Sequence, residues 1–276
     1  MPTTATRSDG RAPRFSSKLL GKLLGGLVGG LVDLGGLVLP VSCPGCGAYD
    51  EIVCAQCLVL IGGPPWRCEA AAGRLDRMDG RPILPVWTLA PYTGPMRELV
   101  VAWKDRGRAD VGERFEVALD RGARHLVPAL RSGTTPDGLL VVPAPSSAAA
   151  RRRRGDDVVG RLARAAARGC STEGLPAVAA PVLVRRGRGR DQVGLGARAR
   201  SRNLAGHVVV RRHAAAAVRG RMVLLLDDVL TTGATLAACE QALTLAGAVV
   251  IGALTIAATP SPGGTAGRVE VGADAV

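Results

Sequence analysis

The sequence predicts an α/β fold with a mostly parallel sheet, helices on both faces and a small N-terminal module. From residue 82 onward, short runs rich in Val, Leu and Ile alternate with helix-length segments, which is typical of crossover connections between parallel strands. Residues 41–81 are instead rich in Gly, Cys and turn residues, with little periodicity. At 276 residues the chain is long enough to bury a substantial core.

The two ends of the chain differ from this pattern. Residues 1–17 are polar, contain Pro and Ser, and are predicted to be disordered. Residues 18–40 place apolar pairs every four residues, as in an amphipathic helix. Asp33 within them would cost on the order of 3 kcal/mol in a bilayer, so a spanning helix is disfavoured, while membrane association stays an alternative. Residues 260–276 are predicted to form a flexible tail, which leaves 82–259 for the α/β domain.

The predicted elements of that domain follow one another without internal repeats. In order, the apolar runs and helical segments are PILPVWTLAPY, MRELVVAWK, FEVALDRGARHLVPAL, GLLVVPAP, DVVGRLARAAA, APVLVRR, RMVLLLDD, TLAACEQALTLAG and AVVIGALTIAAT.

The chain carries a formal net charge of +13, and clustered arginine favours a polyanionic partner. A biased composition that replaces Lys by Arg on a solvated face explains the same charge. Aromatic residues make up only 3% of the chain, which leaves little to stack on exposed bases. Both explanations stay open.

Four of the seven cysteines form two CxxC pairs separated by seven residues. Two such turns can close four thiolates tetrahedrally on Zn²⁺, and an all-cysteine ligand set indicates a structural metal. A module without a core of its own would take much of its folding free energy from that metal. This use of cysteine also favours a reducing compartment, the cytoplasm. The predicted ligands are Cys43, Cys46, Cys54 and Cys57; two disulfides or four unliganded thiols are the alternatives, and Cys68 is left out.

In the stretch VLLLDDVLTTGAT, residues 223–235, an apolar run with the pattern of a strand is followed directly by two adjacent acids. In parallel sheets ligands bind where strands end, so Asp227 and Asp228 lie at a binding edge. The following Thr- and Gly-containing turn precedes a helix predicted to begin near Leu236, which makes a phosphate site. Adjacent carboxylates accept hydrogen bonds from a vicinal diol, and a ribose 5-phosphate has both groups. The alternative is an ordinary strand, turn and helix with a capping Asp or Thr.

This stretch resembles the thirteen-residue phosphoribosyl pyrophosphate motif of type I phosphoribosyltransferases. From about Leu31 to Thr259 the chain is similar to the ComF family, which joins a zinc finger to a phosphoribosyltransferase domain and is linked to natural competence and DNA uptake. Its landmarks here are LPVSCPGC, CAQC, PYTGPMRELVVAWKDRG, VVPAPSS, RRRRGDDVVGRLA and DQVGLGARARSRNLAG.

The resemblance implies a sheet of the type I phosphoribosyltransferase kind and a set of site residues. Asp227 and Asp228 would be catalytic by orienting the ribose. The ribose and its phosphate would be bound by Asp227, Asp228, Thr231, Thr232, Gly233, Ala234 and Thr235. Pyrophosphate, with Mg²⁺, would be bound by Lys104, Ala144, Pro145 and Arg154. The Arg-rich segment 185–202, with Gln192 and Asn203, would cover the nucleophile or contact DNA.

The resemblance implies one of two functions. The first is a Mg²⁺-dependent phosphoribosyltransferase that moves ribose 5-phosphate onto a nitrogenous base in nucleotide metabolism. The second is a non-catalytic nucleotide- or single-stranded-DNA-binding competence factor that engages the DNA-uptake machinery. Many relatives read RGFNQ where this chain has Arg154, Gly155, Asp156, Asp157 and Val158, and we expect the acids to cap the following helix. His125, His207 and His213 show no ligand spacing.

Overall fold

The computed structural model describes residues 41–73, 75, 83–131, 137–146, 157–186 and 208–260. Several segments that the sequence analysis singled out lie outside these residues. They are the N-terminal segments 1–17 and 18–40, the run 151–154 with Arg154, Asp156, the Arg-rich segment from 187 onward with Gln192, Asn203 and His207, and the tail from residue 261.

The predicted α/β fold with a mostly parallel sheet is confirmed. Six strands form a mixed sheet in the order β1-β2-β8-β7-β3-β4, in which β1 alone is antiparallel to its neighbour. A separate antiparallel pair joins β5 to β6. The strands are β1 (Trp66–Arg67), β2 (Val86–Pro91), β3 (Leu139–Pro143), β4 (Ala177–Ala179), β5 (Leu183–Arg185), β6 (Val208–Val210), β7 (Met222–Leu230) and β8 (Val249–Ala258).

Helices cover both faces of this sheet. Alternate residues of β7 show the division: Leu224 and Leu226 belong to one buried cluster, and Val223 and Leu225 belong to the other. The first cluster takes in α2, α3 and α4, and the second takes in α5, α6 and the β5–β6 pair. The helices are α1 (Ala55–Val59), α2 (Gly94–Asp105), α3 (Ala109–Arg131), α4 (Val158–Thr172), α5 (Ala215–Val218) and α6 (Ala234–Leu245), with 3₁₀ turns at Glu69–Ala71 and Arg212–Ala214.

One apolar run lies outside the main sheet. The run APVLVRR forms β5, whereas the edge strand of the sheet is the preceding segment, β4. Ala180 N–H still donates to the Val141 carbonyl, but Val182 N–H then turns back to the Ala180 carbonyl at 2.8 Å. This three-residue turn around Pro181 bends the chain away from the sheet, so that β5 pairs with β6.

The start of α4 agrees with the predicted capping role of the acids. The Asp157 carboxylate accepts a hydrogen bond from Gly160 N–H at 3.3 Å and is the N-cap residue of the helix. This contact gives Asp157 a structural role at the start of α4.

The four-cysteine module packs into the core of the α/β domain. Cys43, Cys54 and Cys57, together with Val53 and Ile61, belong to the same buried cluster as α2 and α3. The module also supplies β1, which pairs with β2 at the edge of the main sheet. Within the described residues, no helix is long and apolar enough to cross a membrane.

Helices α3 and α4 approach closely at Gly169. A β-carbon at this position would overlap the Asp120 carbonyl oxygen of the neighbouring helix. Glycine inside a helix normally costs about 1 kcal/mol relative to alanine, so its presence here reflects this close contact between the two backbones.

We therefore expect Gly169→Ala to destabilise the protein by about 1–3 kcal/mol, because overpacking outweighs the gain in helix propensity. The measurement is the midpoint of urea unfolding. Gly73→Ala is the matched control, since a β-carbon there would have nothing within 4 Å, and its midpoint should change little. A Gly169→Ala protein as stable as the original would contradict the close-packing account.

Candidate ligand cavity and four-cysteine group

The strand order creates a crevice between β3 and β7. These strands are neighbours, but after β3 the chain continues through α4 to β4 on one side, and after β7 it continues through α6 to β8 on the other. Helices α4 and α6 lie on opposite faces of the sheet. Where connections diverge in this way, a crevice opens outside the carboxyl ends of the two strands, and ligands bind there.

A cavity of about 310 Å³ lies at this edge, at the lower end of the size range of small-molecule sites. Its walls come from the ends of β2, α2, β3, β5 and β7 and from the starts of α4 and α6. The residues contributed by the loop after β3 and by β7 with its turn are Ala144, Pro145, Ser146, Asp227, Asp228, Val229, Thr231 and Thr235, and the others are Tyr92, Lys104, Val159 and Arg185.

Short hydrogen bonds fix the two acids near the carboxyl end of β7, which continues to Leu230. Asp228 N–H donates to Asp227 Oδ1 at 2.9 Å, and Val229 N–H donates to Asp228 Oδ1 at 2.7 Å. The other oxygen of Asp228 lies 2.7 Å from Lys104 Nζ in a partly buried ion pair. One oxygen of each carboxylate is thus held by the backbone. The ion pair with Asp228 also joins Lys104 of α2 to β7.

The pKa of Asp227 is raised to about 7. Burial is the largest cause, and the charge of Asp228 adds to it; the Asp228 N–H and the charges of Lys104 and Arg185 act in the opposite direction. Both effects that raise the pKa disfavour the charged form, since they remove water and place a like charge nearby. Asp227 therefore exchanges a proton near neutral pH.

The turn between β7 and α6 has the geometry of an anion site. Gly233 adopts φ +81°, and a β-carbon on it would lie 2.7 Å from Leu75 Cγ. Glycine satisfies both constraints, and α6 begins at Ala234, two residues before the predicted start. Its first intrahelical bond runs from Ala237 N–H to the Gly233 carbonyl, and Ala234 N–H donates to Thr232 Oγ1 at 3.4 Å, so the N–H groups of residues 235 and 236 need other partners. They lie beside Thr231 and Thr235, which line the cavity.

The structure brings most of the predicted site residues into one place. Those that line the cavity are Lys104, Ala144, Pro145, Asp227, Asp228, Thr231 and Thr235. Thr232, Gly233 and Ala234 lie in the same turn without lining the cavity, and Arg154 is outside the described residues. The sequence analysis did not select Tyr92, Ser146 or Val159, and it included Arg185 only as the first residue of the Arg-rich segment 185–202.

A compositional signal for Lys104 was available in the sequence. Lysine occurs only at Lys18, Lys22 and Lys104, and every other one of the 36 basic residues is arginine. A lysine in a chain with so strong a preference for arginine indicates a position where arginine does not serve equally well. Arg185 had no comparable signal, because it begins an arginine-rich segment.

The four predicted cysteines form a group that could hold a metal ion such as Zn²⁺. Their four sulfur atoms all lie within 4.8 Å of one another, and Cys46 Sγ is 3.4 Å from Cys54 Sγ. Tetrahedral zinc, with Zn–S bonds of about 2.3 Å, would hold its sulfurs roughly 3.8 Å apart. The observed separations fit that geometry, and all seven cysteines of the chain are free thiols.

Two different local structures present these thiols. In the first, Gly47 N–H donates to the Cys43 carbonyl and Cys43 N–H donates to the Ala48 carbonyl, both at 2.8 Å, while Gly47 takes φ +80°. In the second, Cys54 is the N-cap of α1 and Cys57 lies inside that helix. Both arrangements turn a CxxC pair toward a common point.

Cys68 has a separate environment. Its thiol lies 3.4 Å from the Val86 carbonyl, to which it donates, and burial raises its pKa to about 12. It is not part of the four-cysteine group; the sequence analysis had left Cys68 out of the predicted ligands and its role open.

No protein-family model and no curated protein matches this chain. The function must therefore be argued from the chemistry of the cavity.

We expect one zinc ion per chain, and we expect this zinc to be lost when one of the four cysteines is replaced. Cys46→Ser should lower the zinc content of the purified protein to a small fraction, because three thiolates bind zinc far more weakly than four. Cys68→Ser is the matched control and should retain one zinc per chain. Metal analysis after removal of loosely bound ions measures both. Full zinc content in Cys46→Ser would contradict the assignment.

We also expect Asp227 to titrate near neutral pH. Its folded pKa lies above the ordinary value of about 4, so the folded state takes up a proton more readily than the unfolded state. The stability of the protein relative to Asp227→Asn should therefore fall as the pH rises from about 4 to 7. Urea unfolding at several pH values measures this trend.

Carboxyl NMR titration provides the direct measurement and its control. Lys104→Met removes a positive charge that lowers the pKa of Asp227, so that pKa should rise further. Arg97→Met removes an exposed charge from the same helix, where Arg97 pairs with Glu98, and should leave it unchanged. An Asp227 pKa near 4 in the original protein would refute the account.

Proposed function

We propose that the cavity binds phosphoribosyl pyrophosphate and that the protein transfers ribose 5-phosphate to a nitrogenous base. The observation that carries the proposal is the placement of two adjacent carboxylates and a glycine-capped helix start on one wall of one crevice. Asp227 and Asp228 lie near the carboxyl end of β7, which ends at Leu230, and the turn of residues 231–235 follows. A ligand at this wall needs hydroxyl donors at one end and an anion at the other.

The acids would recognise the ribose. Carboxylates are strong acceptors, and the 2′ and 3′ hydroxyls of a ribose present two donors on adjacent carbons. The backbone fixes one oxygen of each acid, so the remaining oxygens are held in a defined orientation. The Lys104 pair occupies Asp228 Oδ2, and ligand binding would require Lys104 to share that oxygen or to turn toward the departing pyrophosphate.

The turn before α6 would hold the 5′-phosphate. The N–H groups of residues 235 and 236 and the positive end of the helix dipole favour an anion. The Thr231 and Thr235 hydroxyls add donors at the cavity wall. A β-carbon at position 233 would displace the turn against Leu75, which explains why the phosphate site requires glycine there.

The opposite wall would bind the pyrophosphate. Ala144, Pro145 and Ser146 follow β3 directly, and Lys104 and Arg185 contribute positive charge to the cavity. Mg²⁺ would accompany the ligand and supply further neutralising charge.

Transfer would need positioning and charge neutralisation more than covalent catalysis. The bond between the anomeric carbon and the pyrophosphate oxygen breaks, and its electron pair leaves with pyrophosphate. The lone pair of the acceptor nitrogen forms the new bond, and the acceptor loses a proton. Asp227 and Asp228 would hold the ribose, and Lys104 would stabilise the leaving group.

The metal of the four-cysteine group would be structural. Four thiolates complete a tetrahedral ligand set and leave no position for a substrate. The group also lies within the shared core of the module and helices α2 and α3, and a metal there would stabilise that packing.

A non-catalytic function is the alternative that the charge of the chain favours. With a net charge of +13, the protein could use the same cavity for a nucleotide while its basic surface binds single-stranded DNA in DNA uptake. Such binding would weaken steeply with salt, and no pyrophosphate would be released with any nucleobase.

The test is calorimetric titration of the zinc-loaded protein with phosphoribosyl pyrophosphate and Mg²⁺. We expect saturable binding that becomes at least about a hundredfold weaker in Asp227→Asn/Asp228→Asn, because each residue loses one acceptor oxygen and the site loses carboxylate charge. Glu113→Gln, an exposed acid on α3, is the control and should bind normally. Pyrophosphate release with a nucleobase then separates transfer from binding. Equal binding by all three proteins, or by none, would refute the proposed site.

A further inference from the structure

We propose that the four-cysteine module positions Lys104, so that metal occupancy of the cysteines sets the geometry of the cavity. The connection is α2, a helix of 12 residues. The module packs on its first turns, and Lys104 in its last turn forms the ion pair with Asp228. The inference concerns Lys104 itself and holds whatever ligand the cavity binds.

The turn that carries Cys43 and Cys46 packs directly on the start of α2. A β-carbon at Gly45 would lie 2.8 Å from Cys57 Sγ, 3.1 Å from Leu99 Cγ and 3.2 Å from the Pro95 carbonyl oxygen. No side chain separates the cysteine turn from the helix at this point. A change in the position of the metal-binding turn must therefore be transmitted to α2.

The contact continues along the buried stripe of the helix. Met96, Leu99, Val100 and Trp103 recur at helical spacing and belong to one cluster with Cys43, Cys54 and Cys57. Because three of the four metal-binding thiols are buried in this cluster, loss of the metal would leave the packing surface of α2 without a fixed partner.

The module also reaches the far end of α2. In the loop that follows this helix, the Arg108 guanidinium lies 3.4 Å from the Ile52 carbonyl, and Arg108 is held in turn by a bidentate pair with Asp110. On α3, Arg121 donates to the Ile61 carbonyl at 2.8 Å. The module thus contacts α2 from its first turn to the loop beyond Lys104.

The last turn of α2 has a second, metal-independent anchor. Trp103 packs edge-on against Phe115, with ring centroids 5.3 Å apart, and its indole nitrogen lies against Gly112 of α3. If the module releases the first turns, the helix stays attached at Trp103 and pivots there. Lys104 is the next residue, so its Cα moves little, but the change in the direction of the helix swings its long side chain and carries Nζ away from Asp228.

The composition of the chain allows a direct readout of this displacement. Lys104 is the single lysine after Lys22, and reductive ¹³C-methylation of lysines preserves their positive charge. The full-length protein should then give three lysine signals and one from the amino terminus. Lys104→Arg identifies the signal of Lys104, and Asp228→Asn gives its position when the ion pair is broken.

The experiment removes zinc with a chelator under reducing conditions and compares spectra. We expect the Lys104 signal to move most of the way to its position in Asp228→Asn, and re-addition of zinc to restore it. Hydrogen exchange of α4 reports whether the domain stays folded. An unchanged Lys104 signal in protein that has lost its zinc and keeps α4 protected would overturn the proposal.

A second variant decides the matter if zinc removal unfolds the whole chain. Leu99→Ala removes the contact on α2 but no metal ligand, and its zinc-loaded form should show the Lys104 signal displaced toward the Asp228→Asn position. Leu130→Ala truncates a buried leucine of the same cluster on α3 and should leave the signal in place. No shift in Leu99→Ala, or equal shifts in both variants, would overturn the proposal.

Discussion

The parallel pairing of β3 with β7 runs from Leu139 opposite Met222 to Pro143 opposite Leu226. Beyond that point β3 ends, while β7 continues beside β8 to Leu230. The next residues on each side, Ala144 and Asp227, therefore face each other across the crevice, with Ala144 N–H bonded to the Leu226 carbonyl. The connection after β3 leads to one side of the sheet and the connection after β7 leads to the other. No strand of the sheet therefore fills the space between them. The cavity is a consequence of this register.

The same geometry explains the electrostatics of the site. A strand buried on both faces brings its terminal acids to a place with little water, where two adjacent negative charges are unfavourable. Lys104 offsets that cost by its ion pair with Asp228, and the positive charge of Arg185 also favours the charged form of Asp227. The positive charges of Lys104 and Arg185 lie at the site before a ligand binds. An anionic ligand could pair with these charges in place of the two acids.

The features that the sequence predicted correctly are those encoded in contiguous residues. The strand before Asp227, the turn at Gly233 and the two CxxC pairs each carry a local pattern, and the structure shows a strand, a left-handed glycine and a cluster of four sulfurs. Features that depend on long-range packing were missed. The exit of β5 from the sheet follows from the turn at Pro181, and the cavity positions of Tyr92 and Arg185 depend on how β2 and β5 end. Lys104 was predicted by resemblance, although its rarity among arginines was a further signal.

The central claim is that one crevice binds ribose through its acids and phosphate through its helix start. The most direct measurement is a crystal structure of the zinc-loaded protein with phosphoribosyl pyrophosphate and Mg²⁺. The account predicts the 5′-phosphate at the N–H groups of residues 235 and 236 and the ribose hydroxyls at Asp227 and Asp228. A ligand bound with its phosphate away from this turn, or with the acids still paired only to Lys104 and the backbone, would contradict it.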